Sequence, residues 1–330
     1  MNLTRRHLIR SLVPLVPTAF LGGCDATTTS RKTQTLTIFC AAGLRKPLEK
    51  AAASYQSLTK TVIAFQFGGS GTLLSQMKIA NAGDLFVAAD DETLANAKRL
   101  ELVRETIPLV TQTPVIAVQL GNPKSIKDID DLMRPDVRVA LANPESASIS
   151  KVVKRVLGEA WEPLTKKAAV MKPTVTEIAS DLALGAIDAA IVWDSTTPQF
   201  SGLESVSIPT FQSSPERASI AVLTSCPQSQ EALRFARFLA SPDKGGEAFS
   251  SEGFKHLPGD AWSERPELIL YSGGVNRPAV ESVLRRFSER EGVSLTTVFN
   301  GCGILCSAMK AMGDTSNPQY PDVYYACDLC

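Results

Sequence analysis

The sequence predicts an α/β protein built from two hinged, doubly wound lobes, followed by a partial C-terminal repeat of lobe one. Three observations predict this. Short apolar runs alternate with amphipathic stretches from residue 36 to about residue 260. The apolar runs are continuous rather than alternating, as in strands covered by helices on both faces. A Gly-rich segment also occurs twice, as FGGSGTLLSQMK at residues 67–78 and as FNGCGILCSAMK at residues 299–310. With 330 residues, 44% of them hydrophobic and 21% charged, the chain holds two or three domain-sized units.

In chain order, residues 1–24 read as an export signal. Residues 4–10 (TRRHLIR) carry paired arginines, SLVPLVPTAFL is an apolar stretch broken by prolines, and LGGC closes the segment at Cys24. Eleven such residues cannot cross ~30 Å of hydrocarbon, so the segment is a leader and not a permanent helix. It resembles a bacterial lipoprotein signal with a twin-arginine flavour. That resemblance implies that Cys24 becomes the lipidated first residue of the mature chain, anchored on the outer face of a membrane; a plain secretory leader is the alternative. Residues 25–35 (DATTTSRKTQT) are polar and read as a flexible tether.

Residues 36–113 make the first lobe. LTIF, VIAFQF and DLFVAA are its strands, and LRKPLEKAAASYQSL, GTLLSQMKIA and DDETLANAKRL its helices. Residues 114–235 make the second. Its strands are PVIAVQL, VRVALA, AAVM and DAAIVW; its helices are SIKDIDDLM, SASISKVVKRVLG (stopped by Gly158) and TVTEIASDLALG. SIAVLT and SQEALRFARFLAS follow as a strand and a helix, and residues 236–262 return to the first lobe. Crossings near residues 113–115 and 213–219 make the whole a hinged clamp with a cleft. Residues 267–330 repeat the opening of lobe one: LTIFCAAGLRKPLE aligns with ILYSGGVNRPAVE when Gly43 is set on Gly274 and Pro47 on Pro278. Phe67 then meets Phe299, Ser70 meets Cys302, and Asp84 meets Asp322 after a six-residue insertion.

Composition excludes several functions. The chain has 34 basic and 34 acidic side chains and only 6% aromatics, so neither a basic patch nor a stacking platform for nucleic acid is expected. His256 is the one histidine after the leader, which leaves no His–carboxylate grouping for acid–base or nucleophilic catalysis, and the chain reads as a non-enzyme. What stands out is a set of strand-to-helix turns rich in small residues: CAAGL, FGGSGT, NPESASIS and KPTVTE. In doubly wound lobes such turns lie at the carboxyl ends of strands, where helix N-termini offer N–H groups to an anion. Small residues let the guest approach the backbone. Arg45 and Lys46 read as surface charges on a helix, and ADDE (residues 89–92) as a helix cap.

At these residues the chain resembles the molybdate-binding proteins of ABC importers, in the type II periplasmic-binding-protein fold. The resemblance runs from Leu36 to about Gly253 and is carried by FCAAGL, FGGSGTL, GDLFVAADDE and LALGAIDAAIVWDS. It implies an inorganic oxyanion as ligand, an ABC permease as partner, and no cofactor. By position it implies a first serine at Gly43, a second at Ser70, backbone amides at Ile149 and Val175, and a tyrosine at Trp193. Gly43 lacks the hydroxyl, Trp193 offers an indole N–H in place of a phenol, and the proline and glycine beside the third site are Ser148 and Ser150.

Seven cysteines are present. Cys40 and Cys226 read as small buried hydrophobes. Cys302, Cys306, Cys327 and Cys330 crowd the end, where they are candidates for two disulfides, a tetrathiolate metal site or incidental thiols. A second functional expectation follows: a ligand- or redox-sensing module whose cysteine-rich tail reports to a partner.

Overall fold

The structure, a computed structural model, describes residues 34–327. The leader, Cys24, nearly all of the tether and Cys330 lie outside the described residues. In chain order the first elements are β1 (Thr35–Ala41), α1 (Arg45–Thr59), β2 (Val62–Gly68), α2 (Ser70–Ala80), β3 (Leu85–Ala88), α3 (Asp91–Arg99) and β4 (Val103–Gln112). The middle of the chain forms β5 (Pro114–Gln119), α4 (Ile129–Leu132), β6 (Val139–Ala142), α5 (Ser148–Leu157), α6 (Trp161–Lys167), β7 (Val170–Lys172), α7 (Val175–Ala183), β8 (Ala189–Trp193), β9 (Leu203–Val206) and α8 (Pro209–Gln212). Then come β10 (Glu216–Leu223), α9 (Ser229–Ala240), α10 (Gly245–Ser251), β11 (Lys255–His256), β12 (Glu267–Gly273), α11 (Arg277–Glu291), β13 (Ser294–Asn300), α12 (Cys302–Met312) and β14 (Val323–Tyr325).

Two sheets carry the clamp, one in the order β11-β4-β10-β3-β1-β2 and one in the order β7-β6-β8-β5-β9. Strands joined by crossover helices run parallel, as β1 does with β2 and β3 and β6 with β7 and β8. Strand–helix alternation implies parallel strands, and the crossing strands depart from that. β10 is antiparallel to β3 and β4, and β5 to β8 and β9. β4 and β5 are separated by Thr113 alone, and β10 brings the chain back, so these strands enter their sheets from the hinge without a crossover helix to set direction. The second lobe also ends earlier than residue 235. β10 joins the first sheet, and α9 packs into the first lobe's core through Leu233, Phe235, Phe238 and Leu239.

Leu36, Ile38 and Cys40 of β1 and Leu48 and Tyr55 of α1 meet these α9 side chains in one core. Tyr55 lies edge-on to Phe235 and Phe238, with ring centres 4.9 and 5.0 Å away. Its hydroxyl donates to the buried Glu231 Oε1 at 2.6 Å, where the Thr61 hydroxyl also donates, at 2.7 Å. The second lobe closes around Ile116, Leu141, Ile178, Leu182 and Val192.

The C-terminal module is a three-stranded parallel sheet, β13-β12-β14. β1 and β12 each have 7 residues, α1 and α11 each 15, β2 and β13 each 7, and α2 and α12 each 11. Thr35 faces Val62 as Glu267 faces Ser294, with the same separation along the chain. The Asp84 N–H donates to Thr37 O while Asp84 Oδ2 accepts from the Thr37 N–H; Asp322 makes the same reciprocal pair with Ile269. Arg45 stacks on Phe67 and Arg277 on Phe299, at 4.1 and 5.6 Å. This register sets Gly274 opposite Ala42 and not opposite Gly43, because the short helical turn after the first strand begins at Ala42 in one place and at Gly274 in the other. Pro278 accordingly falls opposite Lys46. The settings differ too: α1 buries Pro47, Leu48, Ala51, Ala52 and Tyr55, whereas α11 buries no residue fully.

Candidate functional site

Gly43, Ser70, Ile149, Val175 and Trp193 all line one cavity between the two lobes. Gly43, Ser70, Ile149 and Val175 lie where a strand has ended and a helix begins, whereas Trp193 is the last residue of β8. Gly69 precedes α2 and Ala147 precedes α5, and neither supplies a capping side chain. The first-turn N–H groups of these two helices therefore have no intrahelical acceptor and no side-chain cap. At α7, Thr174 caps Glu177, its hydroxyl accepting from the Glu177 N–H at 3.3 Å and donating to Glu177 Oε1 at 2.8 Å.

The hydroxyls divide into committed and available. Ser70 is 2% exposed and its oxygen accepts from the Ala89 N–H at 3.2 Å, so its proton remains to be donated. Ser148 lines the cavity, is 4% exposed, and its hydroxyl has no hydrogen-bond partner among the described residues. Gln112, at the end of β4, is committed: its amide donates to Ala89 O at 2.8 Å and accepts from the Ser195 hydroxyl at 3.3 Å. Sequence reasoning singled out Ser148 only as a departure from the resembled pattern, and it passed over Gln112. A hydroxyl residue opening α5, directly before Ile149, was the signal for the first. Nothing in the sequence marks the second, since its place depends on β4 reaching the cleft.

Among the described residues, no lysine or arginine lines the cavity. Asp194 follows the cavity-lining Trp193 in the chain, and Asp90 follows the cavity-lining Ala89. Burial is the chief reason that the Asp90 carboxyl is held above the usual range, opposed by its hydrogen bonds to Thr93. Asp90 Oδ1 accepts from the Thr93 N–H at 2.7 Å, capping α3 as the ADDE run suggested.

Glycine decides how closely the lobes meet. A Cβ at Gly69 would overlap the Ser146 carbonyl oxygen and stand 2.8 Å from that of Pro173. One at Gly71 would overlap the Glu145 carbonyl oxygen. The Gly71 N–H donates to Ser146 O at 2.9 Å, across the cleft. At Gly43 a Cβ would lie 3.3 Å from Val175 Cγ2, so a serine there would press on the facing lobe. Gln199 Nε2 donates to Gly43 O at 3.1 Å, Lys46 Nζ donates to Gln199 O, and Arg155 pairs with Glu216. The lobes are thus in contact around the cavity. It leaves about 20 Å³ for the centre of a water-sized sphere, above the ~10–15 Å³ that one water needs. That is room for a guest of a few heavy atoms.

His256 lies away from the cavity lining, with Nε2 3.2 Å from Leu239 O. In the C-terminal module the Cys302 and Cys327 sulfurs are 2.9 Å apart, and Cys306 Sγ is 3.5 Å from the Tyr324 hydroxyl. Among the described residues, no group of three or more His, Cys, Asp or Glu side chains is placed to hold a metal ion. Among the same residues no helix is long and apolar enough to cross a membrane.

Residues 36–255 match the family described as bacterial extracellular solute-binding protein. A binding protein of Haemophilus influenzae is 26% identical over 231 residues, which is 69% of this chain and 94% of that protein. The molybdate-binding protein of Mycobacterium bovis is 26% identical over 164 residues, covering 48% of this chain and 61% of that protein. Among solved structures, the periplasmic molybdate-binding protein of Azotobacter vinelandii has a TM-score of 0.57 at 16% identity, covering 68% of this chain and 100% of that one. The sulfate-binding protein of Mycobacterium tuberculosis has a TM-score of 0.60 at 15% identity, covering 80% and 94%. At these identities the structural likeness speaks for the fold, a periplasmic-binding-protein-like α/β clamp, while the family match spans the clamp from β1 to β11. The chain belongs to the bacterial extracellular solute-binding proteins.

Proposed function

We propose that this protein is the solute-binding component of an ABC importer and carries a molybdate-like tetrahedral oxyanion between its lobes. The observation that carries this reading is the composition of the cavity: two helix starts without side-chain caps and two hydroxyls able to donate, Ser70 and Ser148, around a small uncharged space. A fully deprotonated oxyanion accepts hydrogen bonds on every side and offers none, which suits a cavity of donors. The donors come from both lobes, so the guest favours the closed clamp, the form a permease would sense. Gly43 supplies no hydroxyl, and the Ser148 hydroxyl supplies one from the facing lobe instead. Relatives whose names state molybdate or sulfate binding support the ligand class.

In the same reading Cys24 carries the lipid that holds the protein at the membrane, and residues 267–330 are a second copy of the opening of lobe one. The matched element lengths and the reciprocal Asp84 and Asp322 hydrogen bonds support the copy.

The test is titration calorimetry of the purified protein with molybdate, tungstate, sulfate and phosphate. Molybdate and tungstate are expected to bind, and phosphate, still partly protonated at neutral pH, to bind more weakly. Ser70→Ala is expected to weaken molybdate binding about tenfold, the effect of losing one hydrogen bond of ~1–2 kcal/mol. Binding heat from none of the four anions would overturn the proposal.

A further inference from the structure

The turn that forms half of the cavity in lobe one has a counterpart in the C-terminal module made of sulfur. Cys302 opens α12 where Ser70 opens α2, and Cys327 follows β14 where Ala89 follows β3. The hydrogen bond is kept with the atoms changed: the Cys327 N–H donates to Cys302 Sγ at 3.5 Å, as the Ala89 N–H donates to Ser70 Oγ at 3.2 Å. A second sulfur is added at this point, and Cys327 Sγ stands 2.9 Å from Cys302 Sγ. The strand beside them makes room. A Cβ at Gly273 would lie 3.0 Å from Cys302 Sγ and 3.2 Å from Cys327 Sγ, so any side chain there would press on both sulfurs. In lobe one the same place is held by Ala41. Cys302 is buried and Cys327 exposed, so one sulfur of the pair is open to a reagent while the other waits behind it.

We infer that Cys302 and Cys327 form a reversible disulfide that ties the end of β14 to the start of α12. The inference uses the extracellular family assignment, since disulfides persist in oxidising compartments, and is independent of which guest the cleft binds. The oxidant is a disulfide, either a small molecule or an exchange protein. The thiolate of Cys327 attacks one sulfur of that disulfide, whose S–S bond breaks, and one half departs as a thiolate. The thiolate of Cys302 then attacks Cys327 Sγ, forming the internal S–S bond and expelling the other half. The two thiol protons go to water, and the two electrons remain on the reduced oxidant. Closing the bond brings the sulfurs from 2.9 Å to the ~2.05 Å of a disulfide, less than 1 Å of motion. Cys306 stays outside the pair, next to the Tyr324 hydroxyl.

The experiment uses the full chain, equilibrated in glutathione buffers from reducing to oxidising, alkylated, digested and mapped by mass spectrometry without reductant. The expected result is a peptide linking Cys302 to Cys327, two hydrogens lighter than its reduced parts, that appears with rising oxidised glutathione and vanishes on reduction. Cys306→Ser keeps this linked peptide; Cys302→Ser abolishes it and leaves oxyanion titration of the cleft unchanged. Should Cys302→Ser fail to fold, the wild-type map decides alone. Alkylation of both residues in oxidising buffer, a bond from either of them to a different cysteine, or a metal ion retained on the pair in native mass spectra would each overturn the inference. Failure of oxyanion binding, by contrast, would leave it standing.

Discussion

Ser70 and Asp90 show how differently single side chains can be held within a few residues of one cavity. Ser70 accepts one bond from the backbone and has its proton left to donate, whereas Asp90 is a carboxyl buried beyond what its partners compensate. Its folded value lies above its unfolded one, so its contribution to stability is complete below the ordinary carboxylate range near ~4 and is lost as pH rises through the folded value. Asp90→Asn keeps an oxygen to cap Thr93 and removes the charge. It is expected to raise the melting temperature at pH 7, with the gain shrinking as the pH falls toward 4; equal melting temperatures at both pH values would contradict the account. Cys40 and Cys226 fit the same logic. Burial pushes both thiols up, Cys226 to about 12 with its hydrogen bond to Asp84 adding to the effect, so they behave as apolar side chains. Several cavity positions could be read from letters because turns such as FGGSGT are local patterns. Ser148 and Gln112 escaped, since a residue's access to a cleft is settled by the strand or helix it rides on.

At the level of elements, α2 is the part whose start does most. Gly69 and Gly71 flank Ser70 so that the Glu145–Ser146 turn of the other lobe can lie against the helix backbone. Gly71→Ala puts a methyl into the Glu145 carbonyl oxygen only when the lobes are together. We expect molybdate affinity to fall by about a hundredfold or more, equivalent to ~3 kcal/mol, while the unliganded protein melts no lower than wild type, because alanine is the better helix former by ~1 kcal/mol. Small-angle scattering with ligand should report an open shape for this variant; a closed shape at wild-type affinity would refute the role given to the glycine. Most elements announce themselves in the sequence. The crossover helices and the strands they join follow a 3.6-residue period or an apolar run. β4 does not, because VRETIPLVTQ mixes exposed and buried positions irregularly around Pro108. The hinge strands also take their direction from lobe geometry, which no local pattern encodes, and so the lobe boundary fell at residue 235 in the sequence reading when β10 already belongs to the first sheet.

For the whole molecule, the question is what holds the C-terminal module on the clamp. α11 lies along α9. Arg237 donates to Glu291 O at 2.6 Å and pairs with its carboxylate at 3.3 Å, and Arg290 pairs with Glu105 of β4 at 2.6 Å. Burial alone would raise the Glu105 carboxyl, but the Arg290 bonds outweigh it and hold it below the usual range. A depressed acid contributes its stability above its unfolded value and loses it as pH falls through the folded one. Arg290→Ala is therefore expected to speed proteolytic cutting of the connecting residues 257–266 several-fold at pH 7, and the wild type to approach the variant only in acid below the ordinary carboxylate range, as pH falls through the depressed Glu105 value. Identical cutting rates at pH 7 would remove this pair from the attachment. The glycines of the module tell a further story. Gly301 and Gly303 sit where lobe one has Gly69 and Gly71, yet a Cβ at Gly303 would meet nothing within 4 Å and one at Gly301 only its own helix's Ile304, at 3.8 Å. The same two letters thus have unequal mutational latitude. An engineer who may not touch the first pair is free to stiffen α12 at the second, and any sequence library drawn from this chain should tolerate bulk at 303 while purging it at 71.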